Sequence, residues 1–162
     1  MRISFTAIGI IQTPFTDIAG MPIQPSGATN VPGQLVLDAQ YEEGLADLNG
    51  FSHLILLYHF HLSKGYSLTV KPFLDTVERG LFSTRAPRRP NPIGLSIVRL
   101  DRIDGCILHV LDVDMLDGTP LLDIKPYVPT FDMRSDARAG WLEQSQERSA
   151  SLKSDQRFRE KK

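Results

Sequence analysis

The stretch Phe82-Ser83-Thr84-Arg85-Ala86-Pro87-Arg88-Arg89-Pro90-Asn91-Pro92-Ile93-Gly94-Leu95-Ser96-Ile97-Val98 sets three arginines and three prolines directly before an apolar, β-branched run. Each proline fixes its own φ and pushes the preceding residue out of the α region, so Ala86, Arg89 and Asn91 are held extended. The loop is therefore stiff, and it cannot be helical. Guanidiniums on a stiff loop form a fixed array of donors that suits phosphate or carboxylate. Two readings fit the loop alone: an anion- or ligand-binding segment, or a solvated proline-rich turn. The run from Gly94 to Val98 looks like a core strand and ties the loop to the body of the fold.

Strands dominate on either side. Gly94 to Asp101 and Cys106 to Met115 read as two strands joined through Asp104-Gly105, a hairpin turn signal. Phe51 to Phe60 is almost continuously apolar, which predicts a strand buried on both faces. Ile3 to Thr13 reads as a first strand stopped by Pro14, and Leu121 to Lys125 as a last short one before Pro126. Ser67 to Phe73 is a weaker strand broken by Pro72. Between Asp17 and Gly33, three prolines and three glycines mark a long loop, of a length that is often functional. One short helix is predicted from Ala39 to Leu48, where Tyr41, Leu45 and Leu48 recur at helical spacing and Asp38 can cap.

No strand-helix alternation, GxGxxG or P-loop accompanies these strands, so a Rossmann architecture is a poor fit. GxSxG and a cysteine nucleophile motif are also missing, which argues against the common hydrolases. The chain has 162 residues, 41% hydrophobic and 23% charged, which suits one domain with one core. Its longest apolar run, Leu54 to Phe60, is far short of a membrane span, and no signal-peptide core is seen at the start. A lone Cys106 excludes an internal disulfide, and a cytoplasmic address is the default. With a net charge of −1, any grip on nucleic acid must come from a local patch. We divide the chain into a domain over residues 1–141 and a polar, basic tail over 142–162, a solvated helix or disordered tail that reads equally as a solubilising end or as a segment that touches phosphates.

Three constellations carry chemistry. His53, His59 and His61 share parity, but no third ligand cluster or HExxH pattern supports a metal, so none is expected. Along Cys106 to Met115, Leu108, Val110, Asp112 and Asp114 share a face that turns acidic at one end, as befits a cationic ligand or a plain strand end. The run Asp117-Gly118-Thr119-Pro120-Leu121-Leu122-Asp123-Ile124-Lys125-Pro126-Tyr127 is punctuated by turn residues at both ends. Within it Asp123 and Lys125 alternate onto one face, where they can pair or flank a substrate.

Taken with Ile8-Gly9-Ile10-Ile11, Thr13-Pro14-Phe15, Gln24-Pro25 and Gly50-Phe51-Ser52-His53-Leu54, these motifs resemble, in order and spacing, the TrmO family, also called TsaA-like proteins. The resemblance covers residues 3 to 141. It implies a single-domain antiparallel β-barrel methyltransferase that uses S-adenosylmethionine without a Rossmann sheet. It further implies a homodimer acting on the tRNA anticodon loop, at N6 of threonylcarbamoyladenosine just 3′ of the anticodon. By the same resemblance, Ile23, Gln24, Pro25, His61, Leu62, Arg85, Leu95, Leu111, Asp112, Val113 and Asp114 match the family's cofactor positions. Arg85 can then meet the cofactor carboxylate, while Asp112 and Asp114 face its cationic end. Asp123 or Tyr127 is expected to accept the acceptor nitrogen's proton. Arg88, Arg89, Asn91 and Lys125 are expected to hold the substrate's carboxylate and phosphates. A same-fold methyltransferase of small molecules and a non-enzymatic cofactor-binding protein remain as alternatives.

Overall fold

The computed structural model describes residues 1–19, 21–22, 27–72 and 77–143. Six strands close into an antiparallel barrel: β1 (Gly9–Gln12), β2 (Pro32–Leu37), β3 (His53–His59), β6 (Ile93–Asp104), β7 (Ile107–Leu111) and β8 (Thr119–Pro126). Around the barrel they run β1, β2, β7, β6, β3, β8, so the barrel itself has no edge strand. Two further strands, β4 (Thr69–Val70) and β5 (Arg79–Gly80), form a small ribbon outside it.

Alternation decides which side chains fill the barrel. Along β3, Leu54, Leu56 and Tyr58 point inward and are buried, while His53, Ile55, Leu57 and His59 are only half-buried on the outer wall. The expectation of a strand buried on both faces is thus corrected: a closed barrel has one dry face, and β3's apolar outer residues coat its wall. Ile11, Leu35, Val98, Leu108, Val110 and Leu121 complete the interior. One glycine is dictated by this packing. A Cβ at Gly94, which pairs with Tyr58 across β3 and β6, would overlap the Tyr58 ring.

Other expectations need adjustment. The first strand is confined to Gly9–Gln12, the residues that stand in ladder register with β2 and β8, with the Ile8 amide adding one bond to the Leu121 carbonyl at 2.8 Å. Pro32–Leu37 is a strand despite its Pro-Gly start, with Leu35 and Leu37 in the core. Ala39 to Leu48 does not form an α-helix. Two 3₁₀ segments, Ala39–Leu45 and Leu48–Gly50, flank Asp47 at φ 64°, and Asp38 makes no side-chain cap. Without that cap and with Gly44 inside, the apolar spacing is met by tighter turns. Among the described residues the one α-helical turn is α1 (Pro129–Asp132). The hairpin at Asp104-Gly105 forms as read, with Gly105 at φ 56°.

Candidate functional site

The arginine loop is built from its own hydrogen bonds. After a 3₁₀ turn at Leu81–Ser83, Thr84 Oγ1 donates to the Leu81 carbonyl at 2.8 Å and accepts from the Ala86 amide at 3.3 Å. Arg89 Nη1 donates to the carbonyls of Thr84 and Ala86 at 2.9 and 3.4 Å, so this arginine braces the loop from within. Leu81 and Ala86 are buried with Val70 in a small second core under the β4–β5 ribbon. From the barrel side, the Phe60 amide donates to the Pro92 carbonyl at 2.8 Å and Ser63 Oγ to the Pro87 carbonyl at 3.0 Å. The loop is thereby fixed to the end of β3, beside His61 and the exposed Leu62.

Two guanidiniums are left over. Neither Arg85 nor Arg88 makes an ion pair among the described residues, and Arg88 Nε is buried with no hydrogen-bond partner. A buried donor without an acceptor costs about 1–3 kcal/mol, which an incoming anion can recover.

Beneath the loop lies a polar chain inside the barrel. Ser96 Oγ donates to Asp114 Oδ1 at 2.7 Å, and Tyr58 Oη lies 3.0 Å from the same Ser96 oxygen. Because serine has one proton, the direction is set: Tyr58 donates to Ser96, which donates to Asp114. Burial first, then the charge of Asp114, pushes the Tyr58 phenol well above its usual range, so it remains a donor. Burial raises the Asp114 carboxyl from its ordinary 3.8 to about 6, against the Ser96 hydrogen bond and the Arg85 charge, which lower it. An anion is therefore held where it is short of positive charge, within electrostatic reach of Arg85.

Asp112 plays a different part from its neighbour. At φ 70° it turns outward, pairs with Arg99 at 3.2 Å and accepts the Asn30 amide at 2.7 Å, while Arg99 also reaches the Asn30 side chain. This clamp fixes the loop before β2 to the strand end at Leu111. Val113 is fully buried between them, and its amide donates to the Val31 carbonyl at 3.3 Å. Of the acidic pair, Asp114 is available to a ligand and Asp112 is committed to Arg99.

The remaining predicted residues lie on the outer wall. Asp123 and Lys125 form an ion pair at 2.7 Å and sit in register with Leu57 and Ile55 of β3, which in turn face Leu95 and Ile97 of β6. A register shift between Leu57 and Tyr58 aims Asp123 outward. Tyr127 is elsewhere: its amide donates to the His53 carbonyl and its ring meets His53 edge-on, at the start of β3. Six residues of extended chain, about 20 Å, separate that point from His59. The structure thus gathers His61, Leu62, Arg85, Arg88 and Asp114 near one barrel end and leaves Tyr127 toward the other. His61 is held below its ordinary pKa by partial burial and then by His59. Ile23, Gln24 and Pro25 lie outside the described residues, as does the tail from 144, and Asn91 is exposed in the loop. Among the described residues no cluster of three His, Cys, Asp or Glu could hold a metal, and no helix is long and apolar enough to cross a membrane.

Tyr58, Ser96, Asn30 and Arg99 are functional or supporting residues that sequence reading missed. Ser96 left one trace, a hydroxyl at core parity between Gly94 and Val98. The others gave none, since a pairing over 82 residues such as Asn30 with Asp112 has no local signature.

The sequence model of the tRNA-methyltransferase O N-terminal domain matches residues 10–133, which include the arginine loop, β6, Asp114 and β8. The chain belongs to this family. It is 49% identical over 158 residues to a probable S-adenosyl-L-methionine-binding protein of Pyrococcus abyssi, covering 98% of this chain and 86% of that one. It is 38% identical over 149 residues to the tRNA (adenine(37)-N6)-methyltransferase of Escherichia coli, covering 86% of this chain and 63% of the relative. The crystal structure of TrmO from Pseudomonas aeruginosa superposes with a TM-score of 0.74 at 39% identity, over 87% of this chain and 63% of that one. The chain thus spans less than two thirds of those two TrmO family proteins and most of the archaeal one.

Proposed function

We propose that this TrmO family chain is an S-adenosylmethionine-dependent methyltransferase that modifies the adenine 3′ of the tRNA anticodon, at N6 of threonylcarbamoyladenosine. The observation that carries the reading is the placement of the unpaired Arg85 within electrostatic reach of the underneutralised Asp114. A guanidinium for a carboxylate and a carboxylate for a cation together fit a zwitterionic ligand such as this cofactor. His61, Leu62, Leu95, Leu111, Asp112 and Val113, with Ile23 to Pro25, form the rest of the proposed cofactor surface, with Asp112 acting through its clamp on the loop. Relatives named as binding that cofactor and as tRNA adenine methyltransferases support the assignment.

S-adenosylmethionine supplies an activated methyl on a sulfonium. The chain's own work is positioning, which accounts for most of the rate when reacting atoms are held near contact. Tyr58 and Ser96 fix the rotamer of Asp114. Arg88 brings a buried, unpartnered Nε–H for the substrate's carboxylate or phosphates, and Arg89 keeps the loop in shape. Asp123, polarised by Lys125, is the nearer candidate for removing the acceptor's proton. Asp123 lies on the wall that a second copy is proposed to cover, whereas Tyr127 stands at the start of β3 beside His53. That wall carries half-exposed Ile93, Leu95 and Ile97, an apolar row suited to a homodimer. A cytoplasmic location goes with the tRNA substrate.

The test is nucleoside mass spectrometry of tRNA incubated with the protein and methyl-labelled cofactor. Label on the threonylcarbamoyladenosine 3′ of the anticodon supports the reading. Cofactor binding without label on any nucleoside sinks it.

A further inference from the structure

Phe82 is an aromatic side chain that the fold holds in solvent. It is 74% exposed, yet the three-residue turn carrying it is tied down on every side. Ser83 Oγ donates to the Gly80 carbonyl at 2.8 Å, the Thr84 amide and hydroxyl both reach the Leu81 carbonyl, and Leu81 is anchored in the small core. Trp141 Nε1 donates to the Ser83 carbonyl at 2.9 Å, so the turn at Gly140–Leu142 also grips this one. Arg89, fixed by two loop carbonyls, sets its guanidinium 5.7 Å from the centre of the Phe82 ring. The exposed Tyr66 and Leu68 lead into β4 beside it, with the Leu81 amide bonded to the Leu68 carbonyl.

Two things follow from this arrangement. The ring costs little entropy to use, because its backbone is already ordered. It also stands beside Arg89, on the loop that carries Arg85 and Arg88, so its ligand is flat and accompanied by negative charge. We propose that Phe82, backed by Arg89, is a stacking platform for one unpaired base of the substrate RNA, next to the base being methylated. A second copy is a poorer occupant, since pairing through this patch would set the two arginine loops against each other. The apolar β6 wall offers a dimer surface free of that repulsion. An RNA loop supplies both the π-face and the phosphates that the patch lacks. The proposal rests on the reading of the protein as an RNA methyltransferase and adds where the RNA is gripped.

The experiment measures binding of a synthetic anticodon stem-loop carrying 2-aminopurine at each unpaired loop position in turn. It compares the wild-type chain with Phe82→Ala, Phe82→Leu and Phe82→Trp. In wild type, one position is expected to be quenched on binding. Phe82→Ala and Phe82→Leu should lose that quench and bind about tenfold more weakly, and Phe82→Trp should keep both. Cofactor affinity and molar mass in solution should be unchanged in all three. Stem-loop affinity unchanged in Phe82→Ala overturns the platform and leaves the methyltransferase reading intact. A change of oligomeric state in that variant also overturns it, by making the ring part of an interface. Failure of the wild type to bind any stem-loop overturns both.

Discussion

Replacing Asp114 by asparagine should make the protein more stable and less able to bind its cofactor. Burial lifts the Asp114 carboxyl from 3.8 to about 6, so holding it ionised at neutral pH works against folding. The gap is about two pKa units at roughly 1.4 kcal/mol each, giving a penalty of about 3 kcal/mol at pH 7.5. Between pH 4 and 6 the folded chain binds more protons at this site than the unfolded one. Stability from this group therefore falls as pH rises through that window, and the full penalty persists above it. Asparagine keeps an acceptor for the Ser96 hydroxyl and carries no charge. Urea unfolding of both proteins from pH 4 to 8 should show Asp114→Asn ahead by about 1–3 kcal/mol at pH 7.5, the advantage vanishing near pH 4. Calorimetric titration at pH 7.5 should show cofactor affinity lowered tenfold or more. If the variant is less stable than wild type at pH 7.5 by as much as at pH 4, the buried-anion argument is wrong.

Arg85→Ala should lower cofactor affinity at least tenfold while leaving the melting temperature within a degree or two, since the side chain is exposed and makes no ion pair among the described residues; equal affinities would remove it from the site. Gly94→Ala should destabilise by about 1–3 kcal/mol in chemical denaturation, because its methyl must displace the Tyr58 ring; an unchanged midpoint would mean that the ring swings away freely. Ser96→Ala, read by the same denaturation at pH 7.5, should cost about 1–3 kcal/mol by orphaning the Tyr58 hydroxyl, and no loss would show that water replaces it. Arg99→Ala should cost about 1 kcal/mol or less, the Arg99–Asp112 pair being partly exposed, and a larger loss would mean that the clamp holds more than the Asn30 loop.

The stiffness of the arginine loop could be read directly from its prolines, since they act on their own residue and the one before. Its position next to β6 was equally local, because β-branched residues follow at once. The hairpin at Asp104-Gly105 came from the same kind of short-range signal, whereas the strand at Pro32–Leu37 was not foreseen. Barrel closure has no such signal. Pairing β1 with β8 and β3 with β6 joins residues tens of positions apart, and only that closure sorts β3 into a dry face and a wall. The fold of the loop itself divided the arginines: Arg89, which sequence assigned to the substrate, is turned inward on Thr84 and Ala86, whereas Arg85 and Arg88 make no ion pair among the described residues. The acidic pair was divided too, Asp112 going to Arg99 and Asp114 to Ser96 and Tyr58.

By itself, then, the sequence determined a mainly β chain with a rigid cationic loop, because proline φ angles and strand alternation depend on neighbours alone. Which of the charges are free to meet a ligand was decided by the three-dimensional structure, because a charge is committed only by a partner: Asp112 and Asp114 meet Arg99 and Ser96 of another strand, and Arg89 meets its carbonyls only once the loop has folded back on itself.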